Sequence, residues 1–136
     1  MHLKNEEIKS VKDVRMKEHV LSSDDVVFED GVIVGYRGCV NFDENTLVIP
    51  DFINGTPILS IAEGAFMCCG IRSVKFETKH LHSIRDGAFK KNLINTVNIP
   101  LGVVEMGIDV FSNESGPIDI YLSETVEVVG ENLYRI

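Results

Sequence analysis

One apolar register repeats along this chain about every 23 residues, and it constrains the fold more than any other feature. The pairs Ala65-Phe66, Ala88-Phe89 and Val110-Phe111 are spaced 23 and 22 residues apart, and Leu133-Tyr134 follows 23 residues later. Two further apolar columns precede these pairs by four and by seven residues. Their members are Ile61, Ile84, Met106 and Val129, and Ile58, Leu81, Val103 and Val126.

A second group of columns lies between these units, and it alternates apolar with other residues as a half-buried strand does. A strand is therefore predicted in each unit, beginning with residues 47 to 50. The columns are Ile71, Ile94 and Pro117; Val74, Val97 and Ile120; and Phe76, Ile99 and Leu122. One unit cannot bury its own apolar face, so stacked units must cover each other. We expect Phe66, Phe89 and Phe111 to form an aromatic ladder inside the stack, with Tyr134 at its end.

Residues 94 to 111 resemble the BspA-like leucine-rich repeats, and the likeness extends over residues 32 to 134. It is carried by Ile94, Val97, Ile99-Pro100, Val103, Met106 and Val110-Phe111, and by an opening unit that runs from Val48 to Phe66. Glu77 and Ser123 depart from the family's proline position. The resemblance implies a right-handed, strand-dominated (α/β) leucine-rich-repeat solenoid of three to four repeats, with parallel short strands along one face that binds protein.

The segments before the repeats differ from them in pattern. Residues 1 to 21 are interpreted as an amphipathic helix that caps the first repeat or, alternatively, as a loose arm. Residues 22 to 45 are predicted to form a hairpin cap, because two short apolar runs flank the turn Glu29-Asp30-Gly31. Residues 46 to 136 are predicted to be the repeats, with Asn54-Gly55 forming a turn within the first of them.

Composition narrows the class of function. The net charge of -8 disfavours general binding to nucleic acid or to anionic membranes. The charged N-terminus does not have the pattern of a secretory signal, and no stretch is apolar enough to span a bilayer, so we expect a cytoplasmic location, in a bacterium or a phage-infected host cell. The three cysteines, Cys39, Cys68 and Cys69, have neither a disulfide-framework nor a metal-site spacing.

No residue pattern indicates catalysis. His80 and His82 flank the core position Leu81, so both are expected to face solvent rather than to bind a metal. Nucleophile-elbow, P-loop and dinucleotide motifs are absent from the sequence. We therefore expect a non-enzymatic protein with no cofactor and no metal.

Two surface features are unusual. A basic band, residues 71 to 91, lies between two acidic stretches and is interpreted as solvated loop edges or as a contact site for a partner. It contains Arg72, Lys75, Lys79, Arg85, Lys90 and Lys91. The last unit has no predicted cap, which suggests a homodimer through that end. The residues predicted to self-associate are Ile120, Leu122, Val126, Val128, Leu133 and Tyr134.

The predicted function is protein binding by the strand face of the repeat array. Outward strand positions form two columns, Thr46, Ser73, Thr96 and Asp119, and Val48, Lys75, Asn98 and Tyr121. One alternative is a small acidic inhibitor, of the kind that a phage encodes, that blocks a host nucleic-acid-processing protein. A second alternative is an adhesin-type surface repeat, which the lysine-rich start argues against. The sequence does not identify the partner.

Overall fold

The computed structural model describes residues 16–38, 40–113 and 116–131, and within them the chain is a solenoid of about four turns built from short strands. None of these residues forms a helix long and apolar enough to cross a bilayer. The strands are β1 Lys17–Val20, β2 Val26–Glu29, β3 Val32–Tyr36, β4 Asn45–Ile49, β5 Phe52–Ile53, β6 Thr56–Pro57, β7 Ser60–Ile61, β8 Val74–Phe76, β9 Ser83–Ile84, β10 Thr96–Asn98, β11 Glu105–Met106, β12 Asp119–Tyr121 and β13 Val128–Val129.

One side of the solenoid, which we call the first sheet, contains the predicted strand column. It consists of a parallel ladder in the order β1-β4-β8 and a second parallel ladder formed by β10 and β12. Strands β8 and β10 lie side by side, but no ladder joins them. The pairs Leu47↔Val74 and Val97↔Ile120 confirm the register that the repeat spacing predicted.

The helix predicted within residues 1 to 21 is wrong for its described part, because Lys17–Val20 is strand β1. It pairs in parallel with β4, and the backbone N–H groups of Lys17 and Leu21 donate to Glu44 and Val48. The edge of β4 offers unpaired backbone groups, and a charged segment suits the solvent-facing edge position that results. Residues 1 to 15 of that prediction lie outside the described residues.

The opposite side, which we call the second sheet, has six strands in the order β13-β11-β9-β7-β3-β2. All its pairs are parallel except the hairpin of β2 and β3, which confirms the predicted hairpin cap. Strand β3 pairs with β7 and so joins the cap to the first repeat. The other four strands, β7, β9, β11 and β13, were not predicted, since repeat strands were expected along one face only. The turn at Asn54-Gly55 is confirmed, and it links the antiparallel strands β5 and β6.

Both sheets pack on one core whose centre is the predicted aromatic ladder. The Phe66, Phe89 and Phe111 rings are buried and stack with centroids 5.2 and 5.4 Å apart. Phe76 of β8 meets Phe89 edge-on at 6.0 Å, which couples the ladder to the first sheet. Tyr36 extends the stack beyond Phe66 at 5.8 Å. Tyr134, predicted at the other end, lies outside the described residues.

A buried asparagine fixes the turn that leads from the ladder into the first sheet. The Asn92 side-chain amide donates to the carbonyl oxygens of Phe66 and Phe89 at 2.8 and 2.9 Å. Its oxygen accepts the backbone N–H groups of Cys69 and Ile71, both at 3.0 Å. All four hydrogen-bonding positions of the amide are thereby used, as burial requires. Asn92 therefore joins two consecutive turns of the solenoid.

Candidate protein-binding surfaces

The outer side of the first sheet presents two rows of side chains that cross the strands. In β10 and β12 the pairs Thr96↔Asp119 and Asn98↔Tyr121 place these residues side by side, while Val97 and Ile120 between them turn towards the core. Because successive side chains along a strand point to opposite faces, every second residue of each strand lies on the outer face of the sheet. The rows thus follow from the same register that aligns the core.

Most residues of these rows are accessible, as predicted. Lys75, Thr96, Asn98, Asp119 and Tyr121 are exposed, and the Tyr121 side chain is the most open of the large ones in the rows, at 60%. Thr46 and Ser73 are partly exposed.

Val48 was predicted to belong to the binding surface, and that prediction is wrong because its exposure is 0%. It lies on the middle strand of the β1-β4-β8 ladder, in register with Val20 on one side and Lys75 on the other. The unpredicted strand β1 gives β4 its second neighbour. The accessible surface that remains is concentrated on β8, β10 and β12.

Lys75 lies between two carboxylates on this face. Its ammonium group is 3.2 Å from Glu77 and 3.3 Å from Glu18, and all three side chains are about half exposed. The hydrogen bonds that its ammonium group donates to Glu77 and to Glu18 raise the pKa of Lys75 above its ordinary value. Lys75 is therefore a fixed positive charge on the face, and its pair with Glu18 links β8 to β1 across the sheet.

The basic band winds around one turn of the solenoid instead of forming one patch. Arg72 precedes β8, Lys79 and Arg85 flank β9, and Lys90 and Lys91 follow the ladder residue Phe89. Two of its members pair with the acidic stretches on either side of the band. Arg72 lies 3.3 Å from Asp43, and Lys90 lies 3.6 Å from Asp109. Exposed pairs of this kind contribute little to stability, and they match the interpretation as solvated edges.

A shallow groove of about 620 Å³ crosses the outer side of the second sheet. It runs past β3, β7, β9, β11 and β13, and its lining includes Ala62, Glu63, Arg85, Glu105, Gly107 and Gly130. The groove was not predicted from the sequence, because four of the strands that form it were not predicted either. The signal was the small-residue column Ala62, Gly107 and Gly130, which directly follows Ile61, Met106 and Val129 and is interrupted by Arg85.

Comparison with models of known protein families shows to which family the chain belongs. The sequence model described as BspA type Leucine rich repeat region matches residues 39–135 in six copies. The chain belongs to the BspA-type leucine-rich-repeat family. No curated protein and no solved structure matches it. For BspA-type repeats the class of function is protein interaction in general. Strands β4 to β13 lie within the matched residues, whereas β1, β2 and β3 precede them.

The histidine pair of the second BspA-type turn faces outward, as predicted. His80 is exposed, and its ring Nδ1 lies 3.0 Å from Asp51 Oδ1. Burial of Asp51 opposes ionisation, but hydrogen bonds from the Lys79 backbone and from His80 outweigh it and lower the pKa of Asp51. His82 is exposed as well. Within the described ranges, no three histidine, cysteine, aspartate or glutamate side chains are grouped so that they could hold a metal ion.

The two adjacent cysteines differ in environment. Cys68 is exposed, whereas burial and the neighbouring Cys68 thiol raise the pKa of Cys69 to about 11. A thiol with such a pKa is almost entirely protonated at neutral pH and is a poor nucleophile. Cys39 lies outside the described residues.

The surface predicted to self-associate is partly described. Leu122 and Val128 are exposed, and Ile120 and Val126 are half-buried. Leu133 and Tyr134 lie outside the described residues. Dimerisation through this surface stays a prediction.

Proposed function

We propose that this chain is a non-enzymatic protein-binding module that uses the outer rows of its first sheet. The BspA-type repeat supports protein interaction in general, and such repeats are typically non-enzymatic. The finer part of the proposal rests on the row positions of β8, β10 and β12. They combine an exposed tyrosine with an amide, hydroxyls and charges of both signs.

The observation that carries the proposal is the position of Tyr121. Its ring is 60% exposed on a strand whose neighbour presents Asn98 in the same row. Tyrosine offers a large contact area and a hydroxyl at a small cost in side-chain entropy, and it is enriched where binding energy is concentrated. Lys75 continues the row one turn away and supplies a fixed positive charge.

The test is a capture experiment with two matched variants. The face variant carries Lys75→Glu and Tyr121→Ala, whereas the control variant carries Lys79→Glu and Leu101→Ala. Both pairs make the same charge change and remove one exposed large side chain, and the control residues lie outside the rows. Immobilised wild-type chain and the control variant should retain the same protein from a cell lysate, and the face variant should lose at least nine-tenths of it.

The identity of the retained protein separates the alternatives. Recovery of a nuclease or nucleic-acid-binding protein that DNA displaces would favour the inhibitor interpretation. Equal retention by all three forms of the chain would contradict the assignment of the first sheet as the binding face.

A further inference from the structure

The groove on the second sheet has the dimensions of a site for an extended chain. It passes five neighbouring strands, from β3 to β13. Adjacent strands lie about 4.8 Å apart, so the four intervals span roughly 19 Å along the solenoid axis. An extended peptide advances about 3.3 Å per residue. About six residues of such a peptide would therefore fit along the groove.

Three of the four turns place a residue with little or no side chain at one position of the groove, and the remaining turn places Arg85 there. Gly107 and Gly130 occupy neighbouring outward positions on the third and fourth turns, and Ala62 occupies that position on the first. Successive turns approach so closely that a Cβ at Gly130 would lie 2.5 Å from the Gly107 backbone. Close packing of the turns therefore excludes a larger side chain at Gly130. Backbone groups and small side chains at these positions remain accessible to a bound peptide.

The charged residues that line the groove favour a positively charged peptide. Three carboxylates, Glu63, Asp86 and Glu105, line the groove with a single guanidinium, Arg85. The Asp86 carboxylate already has a partner within the protein, because its Oδ1 accepts a hydrogen bond from the Ile108 backbone N–H at 2.9 Å. Within the described parts of the chain, Glu63 and Glu105 are exposed and form no ion pair. Two carboxylates are therefore available to a cationic group.

Apolar side chains lie between these charges. Ile108 and Val128 both line the groove and are 44% and 54% exposed. Burying them under a bound peptide would favour binding, because it removes apolar surface from water. A peptide that contains lysine or arginine together with small apolar residues would match both the carboxylates and these apolar side chains.

We infer that this groove binds an extended, basic segment of a partner protein, with its cations at Glu63 and Glu105. The inference shares with the proposed function only the premise that the partner is a protein. It concerns the opposite side of the solenoid, so either assignment can fail while the other holds.

The probe is a fluorescein-labelled octapeptide of alternating lysine and valine, with a glutamate–valine octapeptide as its opposite. The groove variant carries Glu63→Gln and Glu105→Gln. The control carries Glu44→Gln and Glu124→Gln, which remove the same charge at exposed positions outside the groove. Binding is measured by fluorescence anisotropy at 150 mM salt, and the site is mapped by amide chemical shifts of the ¹⁵N-labelled chain.

We expect the lysine peptide to bind at least fivefold more weakly to the groove variant and less than twofold more weakly to the control. Its shift changes should fall on β7, β9, β11 and β13, and the first-sheet variant Lys75→Glu/Tyr121→Ala should leave the affinity unchanged. The inference is overturned by equal weakening in both glutamine pairs, by equal binding of the glutamate peptide, by shifts confined to the first sheet, or by no binding at millimolar peptide.

Discussion

The two sheets of this solenoid cover the same core but differ in continuity and in outer surface. The second sheet is one uninterrupted ladder of six strands, although β7, β9, β11 and β13 have only two residues each. The first sheet has longer strands, but its ladder stops between β8 and β10. Strand length therefore does not determine which side of the repeat is continuous.

The two sheets also differ in the side chains that they direct outward. On the second sheet, each turn repeats one backbone bond: Arg85 donates to Ile61, Gly107 to Ile84 and Gly130 to Met106, at 2.8 to 2.9 Å. The residues that donate these bonds are glycines in two of the turns and Arg85 in the other. On the first sheet the outward positions carry larger side chains such as Lys75, Asn98 and Tyr121. The side that presents the proposed binding rows is also the side with the interrupted ladder.

The largest loss of stability is expected from a substitution in the core that the two sheets share. Such a substitution should destabilise both sheets together. Phe89→Ala deletes the middle ring of the ladder, which contacts Phe66, Phe111 and Phe76. We expect the free energy of unfolding to fall by about 3–5 kcal/mol. Denaturant melting measures it, with Phe52→Ala, an exposed ring, as the control. A loss below about 1 kcal/mol would mean that the ladder does not support the two sheets.

A smaller effect should be confined to the second sheet. A Cβ at Gly107 would lie 2.6 Å from the Asp86 backbone nitrogen, whereas a Cβ at Gly35 would meet nothing within 4 Å. Gly107→Ala is expected to cost about 1–3 kcal/mol by overpacking, and Gly35→Ala should be close to neutral. Equal stabilities of the two variants in thermal melting would show that the close approach of β9 and β11 is not needed.

The smallest effect should be confined to the N-terminal edge of the first sheet. Asp25 accepts a hydrogen bond from Ser22 and lies 2.8 Å from His19 of β1. Burial tends to raise the pKa of Asp25, but these hydrogen bonds outweigh it and hold the pKa below the ordinary 3.8. The carboxylate therefore stabilises the fold above that value, and the stabilisation is lost as the pH falls through the lowered pKa.

Comparison with Asp25→Asn isolates this contribution. At pH 7 the wild-type chain should be the more stable of the two, and the difference in unfolding free energy should narrow as the pH falls below about 4. Amide exchange of β1 should accelerate before that of β7 and β9. A difference that is constant from pH 7 to pH 3 would contradict the role given to the carboxylate.

The first sheet and the ladder could be predicted from the sequence, because large apolar residues recur in fixed columns. The four repeat strands of the second sheet could not, since a two-residue strand such as Ser83–Ile84 contributes one apolar residue and no visible alternation. Strand β1 was missed for a different reason. Lys17 and Glu18 have no apolar periodicity, and the edge of β4 decides their conformation. Burial of Val48 follows from that strand and was missed with it.

The central claim, that the outer rows of the first sheet bind the partner, is tested most directly by hydrogen exchange of the captured complex. Amide exchange of the chain should be compared with and without its bound protein partner, by mass spectrometry. The account predicts new protection over residues 73–76, 96–98 and 119–121, and unchanged exchange in the turns near Asn54. Protection confined to the second sheet, or to the turns with the first-sheet strands unchanged, would contradict it.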